Sequence, residues 1–149
     1  MKILLIEDNM LKREKVVNFI ESSFSSASIE SACSYNTGLS LALNGDFKLL
    51  ILDMSLPTFD KTQNNRGGRF RVFGGREIAQ RLKRAGKLTN FVILTGYKDF
   101  IEDAEKLTLE QVSDKLYELS DRFLGVILYE SSSSKWKNDI AEAVKVTFK

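Results

Sequence analysis

Hydrophobic and polar positions follow two periods along this chain. Short apolar runs, Ile3 to Ile6, Ile29 to Cys33 (less apolar), Leu49 to Leu52, Phe91 to Leu94 and Leu124 to Leu128, are separated by segments whose apolar residues return every three or four positions. The runs predict strands and the segments between them predict helices. Met10, Val17, Ile20 and Phe24 give the first helix its apolar face. Leu39, Ala42 and Leu43 give a short second helix stopped by Gly45, and Ile78, Ala79, Leu82 and Ala85 a third with Gly86 as its C-cap. Thr108 followed by Gln111 is a capping box, which opens a fourth helix with the stripe Leu109, Val112, Leu116, Leu119 and Phe123. Trp136, Ile140, Ala143, Val144 and Phe148 form the last. Strict alternation of strand and helix predicts an α/β fold around a five-stranded parallel sheet, buried on both faces where the runs are continuously apolar.

Two connections are longer than this scheme needs, because about 2–6 residues would be ordinary. One joins the third strand to its helix, and the other joins the fourth strand to the capped helix. Loops of that length are usually functional or mobile. The first, Thr58 to Gly75, carries Arg66-Gly-Gly-Arg-Phe-Arg-Val-Phe-Gly-Gly75 and reads as a basic Gly/Arg-rich insertion at about 58–75 within a single domain spanning 1–149.

Composition narrows the chemistry. At 149 residues and 43% hydrophobic content the chain can bury about 70% of its unfolded surface without a disulfide, and its one cysteine, Cys33, reads as a buried strand residue. The absence of histidine excludes a Ser-His-Asp triad, a Cys-His pair, a histidine-ligated zinc and a phosphohistidine donor within this chain. No apolar run approaches the ~20 residues of a membrane span, and the start does not read as a signal peptide, so a cytoplasmic protein without a membrane partner is expected. The net charge of +2 is uneven: Thr58 to Arg84 carries +6, which leaves −4 on the remainder.

In an open parallel sheet, ligands bind at the carboxyl ends of the strands. Here those ends carry Glu7 and Asp8 on the first strand, Asp53 on the third and Thr95 on the fourth. Three carboxylates in one place repel unless a cation sits among them. Hard oxygen ligands with open positions suit Mg²⁺. With no histidine and no second thiol, the obvious nucleophile is a carboxylate, which can form an acyl phosphate.

Ile3-Leu-Leu-Ile-Glu-Asp-Asn9, Ile51-Leu-Asp-Met-Ser-Leu-Pro57 and Val92-Ile-Leu-Thr-Gly96, in that order, resemble the receiver domain of two-component response regulators. The resemblance spans the whole chain and implies a flavodoxin-like, doubly wound sheet of strand order 2-1-3-4-5 with helices on both faces. It implies that Asp53 accepts a phosphoryl group from the phosphohistidine of a histidine kinase or phosphotransfer protein, and that Thr95 hydrogen-bonds a phosphoryl oxygen. Asp8 and Asp53 would hold Mg²⁺, with Glu7 acting through water and the backbone carbonyl of Ser55 completing the set. Such a module phosphorylates itself at most and signals through an unknown downstream protein, because no output domain is read in the sequence. Arg66, Arg69, Arg71, Tyr97 and Tyr129 are candidate partner contacts. A nucleic-acid partner is not expected, and dimerisation stays open.

The chain departs from the family where the fifth strand ends. Receivers carry a lysine there whose ammonium pairs with the acceptor carboxylate, whereas here Tyr129 takes its place and Val126 takes that of the switch aromatic three residues earlier. Lys98 and Lys135 are the nearest lysines in sequence. The arginines of the insertion could cover an acyl phosphate or bind an acidic partner. A different class of function remains beside the first: a pseudo-receiver that acts as a protein interaction module without phosphorylation. A Mg²⁺-dependent phosphohydrolase or nuclease on the same carboxylates is a third reading, although no general base is evident.

Overall fold

A computed structural model describes residues 1–149. In chain order the elements are β1 (Lys2–Ile6), α1 (Met10–Ser23), β2 (Ser28–Ala32), α2 (Tyr35–Asn44), β3 (Leu49–Leu52), β4 (Leu56–Pro57), β5 (Phe70–Arg71), α3 (Gly74–Arg84), β6 (Asn90–Thr95), β7 (Asp99–Glu102), β8 (Glu105–Thr108), α4 (Leu109–Leu119), β9 (Phe123–Leu128) and α5 (Lys135–Thr147). The expected parallel sheet is present in the order β2-β1-β3-β6-β9, so strand order reverses between β1 and β3.

Alternate residues of the central strands divide the core in two. Leu4, Ile6, Leu50, Leu52, Phe91 and Ile93 face Leu39 of α2, Ile78 and Leu82 of α3, and Val112 and Leu116 of α4. Ile3, Leu5, Leu49, Ile51, Val92 and Leu94 face Val16 and Ile20 of α1 and Trp136, Ile140 and Val144 of α5. The result is a three-layer α/β/α arrangement. A register shift between Phe91 and Ile93 puts an extra residue into β9, and Gly125 takes the positive φ of 131° there.

The helix boundaries follow local chemistry. Asn9 caps α1 by accepting the Lys12 amide at 3.0 Å, and the capping box of Thr108 and Gln111 opens α4 as expected. Gly86, with φ of 70°, follows the Ala85 C-cap of α3 and makes the turn that ends it.

Several expectations need correction. The buried stripe of α1 is Lys12, Val16 and Ile20, whereas Met10 is 59% exposed. Phe123 belongs to β9 and not to the α4 stripe. Cys33 lies just beyond β2 and is half-buried. Both long connections are β-hairpins: β4 pairs antiparallel with β5, and β7 with β8. Phe100 and Leu107 of the second hairpin enter the core, and Arg76 of α3 forks onto Glu105 at 3.0 and 3.3 Å. In the first hairpin Asp60 accepts the hydroxyls of Ser34 and Thr37 at 2.6 and 3.0 Å, which ties it to the start of α2.

Candidate phosphoryl site at the strand ends

β1 and β3 are neighbours, so their carboxyl ends bring Glu7, Asp8 and Asp53 together, each offering an oxygen within 4.8 Å of the others. Glu7 is 1% and Asp53 8% exposed. The Asp53 carboxylate accepts the Met54 amide at 2.8 Å, and Glu7 accepts the Asn9 amide at 3.0 Å. Burial pushes the Asp53 carboxyl well above the usual carboxylate range; the Lys12 ammonium opposes this, and the charges of Glu7 and Asp8 add to it. Asp8 is also raised, first by burial and then by Glu7, with Lys61 pulling the other way.

A cleft of about 570 Å³ opens over these groups and is lined also by Lys12, Phe70, Tyr97 and Tyr129. Thr95 is fully buried, and its hydroxyl accepts the Tyr97 amide at 3.2 Å. Tyr97 is 66% exposed. The Ser55 hydroxyl donates to the Val72 carbonyl at 2.7 Å, which fixes the turn after β3.

The group that sequence reasoning missed is Lys12. From the first turn of α1 its Nζ reaches Glu7 Oε1 at 2.6 Å, the Leu94 carbonyl at 2.9 Å and Asp53 Oδ1 at 3.7 Å. It is 9% exposed and stands over the Tyr129 ring, 5.5 Å from the centroid. The signal was available: at the spacing of Val16 and Ile20, the next buried position toward the strand ends is residue 12, and a lysine there calls for acidic partners. The other lysines considered lie elsewhere. Lys135 is exposed and pairs with Asp139 at 3.0 Å, and Lys98 is exposed in the turn before β7.

The hairpin arginines do not line the cleft. Arg66 and Arg69 are exposed, while Arg71 is held by Glu77 at 2.7 Å and stacks on Tyr35 at 4.1 Å. Only Lys61 of this segment approaches the acidic cluster, 3.8 Å from Asp8.

The donor set suits a divalent cation. Three carboxylates against one buried ammonium leave two negative charges at full ionisation. Glu7 Oε1 is buried with no directed hydrogen bond, its contact with Lys12 being one of charge. Hard oxygens with a free position of this kind match Mg²⁺.

A five-stranded parallel sheet reversing beside an acidic strand-end pocket defines the CheY-like receiver class. Comparison with known proteins agrees, and the chain belongs to the receiver family of response regulators. It is 31% identical over 149 residues to the uncharacterized protein y4jR of Sinorhizobium fredii, covering 96% of each chain. It is 26% identical over 147 residues to the Detocs response regulatory protein DtcB of Enterobacter cloacae, covering 97% of this chain and 98% of that one. Among solved structures, the response regulator TrrA of Thermotoga maritima in complex with Mg²⁺–BeF superposes with a TM-score of 0.63 at 16% identity, over 95% of this chain and 97% of that one. No protein-family model matches the chain. No helix is long and apolar enough to cross a membrane.

Proposed function

We infer that this protein is a phosphoacceptor module of a two-component phosphorelay, with Asp53 as the acceptor. The observation that carries the reading is the position of the Asp53 carboxylate, at the end of β3 and within 4.8 Å of both Glu7 and Asp8 at the floor of an open cleft. A carboxylate oxygen of Asp53 attacks phosphorus in the phosphohistidine of a kinase or phosphotransfer protein. The P–N bond breaks, its electron pair leaves with the imidazole, and a new P–O bond makes the acyl phosphate. Asp8, Asp53 and the Ser55 carbonyl would hold Mg²⁺, with Glu7 reaching it through water. The metal supplies charge neutralisation at the phosphoryl oxygens.

The remaining roles fall to this chain's own groups. The Met54 amide orients the acceptor carboxylate. The Thr95 hydroxyl accepts from the Tyr97 amide and can donate its own proton to a phosphoryl oxygen, and a turn of the hydroxyl toward that oxygen would move the segment bearing exposed Tyr97. A downstream protein would read that movement at a surface that includes Tyr97, Tyr129 and the exposed Arg66 and Arg69, within the cytoplasm.

The test is intact-mass measurement after incubation with Mg²⁺ and a small acyl phosphate donor. One phosphoryl group should be added to the wild type and none to Asp53→Asn. If the wild type takes no label from the donor or from a cognate kinase, the site is vestigial and the protein is a phosphorylation-independent interaction module.

A further inference from the structure

We propose that Lys12, projecting from α1, is the cation that engages the phosphoryl group at Asp53 and does the work of the lysine that β9 lacks. The inference rests on the acceptor reading above and names the residue that completes that site.

Three observations carry it. First, the position at the end of β9 holds Tyr129, whose ring packs against Trp136 at 5.1 Å and forms the platform under the Lys12 ammonium. The side chain from β9 therefore supports a cation without being one. Second, the ammonium is anchored from two sides of the acceptor, by the Leu94 carbonyl on β6 at 2.9 Å and by Glu7 just past β1 at 2.6 Å. That leaves it 3.7 Å from Asp53 Oδ1, within ion-pair range but beyond hydrogen-bond range. Third, burying a lysine is costly unless acidic groups and hydrogen bonds compensate. A position continuing the apolar stripe of Val16 and Ile20 would be filled by an aliphatic residue if packing were its only task.

The chemistry follows from charge. Attack by Asp53 on a phosphoryl donor brings oxygens that carry negative charge into a site already rich in carboxylates. A preformed ammonium at the acceptor stabilises that charge as it arrives, and it needs no reorganisation because Glu7, Leu94 and Tyr129 already hold it. When the acyl phosphate forms, Lys12 can keep its bond to the Leu94 carbonyl and donate a further N–H to a phosphoryl oxygen. An α1 lysine linked to the phosphoryl state would also couple the site to the exposed start of that helix, where Met10 and Leu11 are 59% and 67% exposed.

The experiment compares wild type, Lys12→Met, Lys12→Arg and the double variant Lys12→Met/Tyr129→Lys in two measurements. These are the rate of phosphoryl incorporation from acetyl phosphate with saturating Mg²⁺, and the affinity of unphosphorylated protein for Mg²⁺ by calorimetric titration. In Lys12→Met the rate should fall about 10²–10³-fold, the scale of losing one preorganised donor. Its Mg²⁺ affinity should rise about tenfold, because a positive charge beside a cation site has been removed. Lys12→Arg should keep part of the rate, and Tyr129→Lys in the double variant should restore at least tenfold over Lys12→Met. A merely structural lysine would instead lose Mg²⁺ binding together with the rate in both single variants, which would overturn the proposal. Label added to Lys12→Met at the wild-type rate would overturn it too, as would a double variant that titrates with Mg²⁺ but regains no rate. No label on the wild type would overturn the acceptor reading itself, and this inference with it. Should Lys12→Met not fold, Lys12→Arg decides: a reduced rate with Mg²⁺ binding retained supports the proposal, and an unchanged rate, or loss of rate and Mg²⁺ binding together, overturns it.

Discussion

Gly75 closes on Asp53 so tightly that a Cβ at position 75 would collide with the Asp53 carbonyl oxygen. Its amide donates to the Met54 carbonyl at 2.7 Å, so α3 begins against the backbone that aims the Asp53 carboxylate. Gly75→Ala should cost about 1–3 kcal/mol by overpacking and slow phosphoryl incorporation at Asp53. Gly86→Ala has open space around its Cβ but must hold φ near 70°, at about 1–2 kcal/mol. It should leave the incorporation rate unchanged. Urea unfolding and intact mass give both quantities, and equal rates in the two variants would refute the tight junction.

Lys12 and Glu7 bury opposite charges 2.6 Å apart, with side chains 10% and 1% exposed. Removing one partner from such a pair costs about 3–5 kcal/mol, whereas replacing both with apolar groups is often neutral. Metal-free Lys12→Met should therefore lose most of that amount, and Lys12→Met/Glu7→Leu should recover much of it. A double-mutant cycle in urea measures the coupling. Additive losses would mean that the two charges stand apart in solution.

Asp60 ties the hairpin of β4 and β5 to α2 by accepting from Ser34, which is fully buried, and from Thr37. Asp60→Ala leaves the Ser34 hydroxyl without its acceptor, a loss of about 1–3 kcal/mol. Limited proteolysis within residues 58–70 should accelerate several-fold. Phosphoryl incorporation should change by less than about tenfold, because only the exposed Lys61 links this segment to Asp8. Unaltered cleavage would show that the hairpin is held by its own strand pairing.

The sheet and its acidic edge were legible because short, continuously apolar runs between helix-period segments carry their own strand signal, and Glu7, Asp8, Asp53 and Thr95 each close such a run. The hairpins were not legible. Phe70–Arg71 and Asp99–Glu102 are too short or too polar to alternate clearly, and their pairing depends on partners several residues away. Lys12 was hidden for a related reason. The apolar face of α1 was read from Met10, Val17, Ile20 and Phe24, but the helix starts beside the site, and there its buried face meets carboxylates instead of side chains of the core. Once Val16 and Ile20 mark the inner stripe, Lys12 falls on it. The first-hairpin arginines concentrate positive charge in the sequence, yet Arg71 is taken by Glu77 and Tyr35, and Arg66 and Arg69 are exposed outside the cleft lining.

The raised Asp53 carboxyl sets the sign of the pH dependence. Its unfolded value lies near ~3.9, and burial holds the folded value well above that. Between the two, the native state binds more protons than the unfolded state, so metal-free stability falls as pH rises from the unfolded value through the folded one. Asp8 is raised as well and acts in the same direction. Asp53→Asn removes the larger contribution, so without metal it should be more stable than wild type at neutral pH and less sensitive to pH above about 4. On the proposed function, Mg²⁺ should reverse the wild-type penalty by binding only the folded carboxylates. At a hundred times its dissociation constant it should add about 2.7 kcal/mol, or about 5–10 °C in Tm for a chain of this size. Thermal melts near pH 5 and pH 7, with and without Mg²⁺, separate these effects. An Asp53→Asn variant that melts below wild type at pH 7 without metal, or gains the same increment from Mg²⁺, would show that the acceptor carboxylate is neither strained by burial nor part of the metal site.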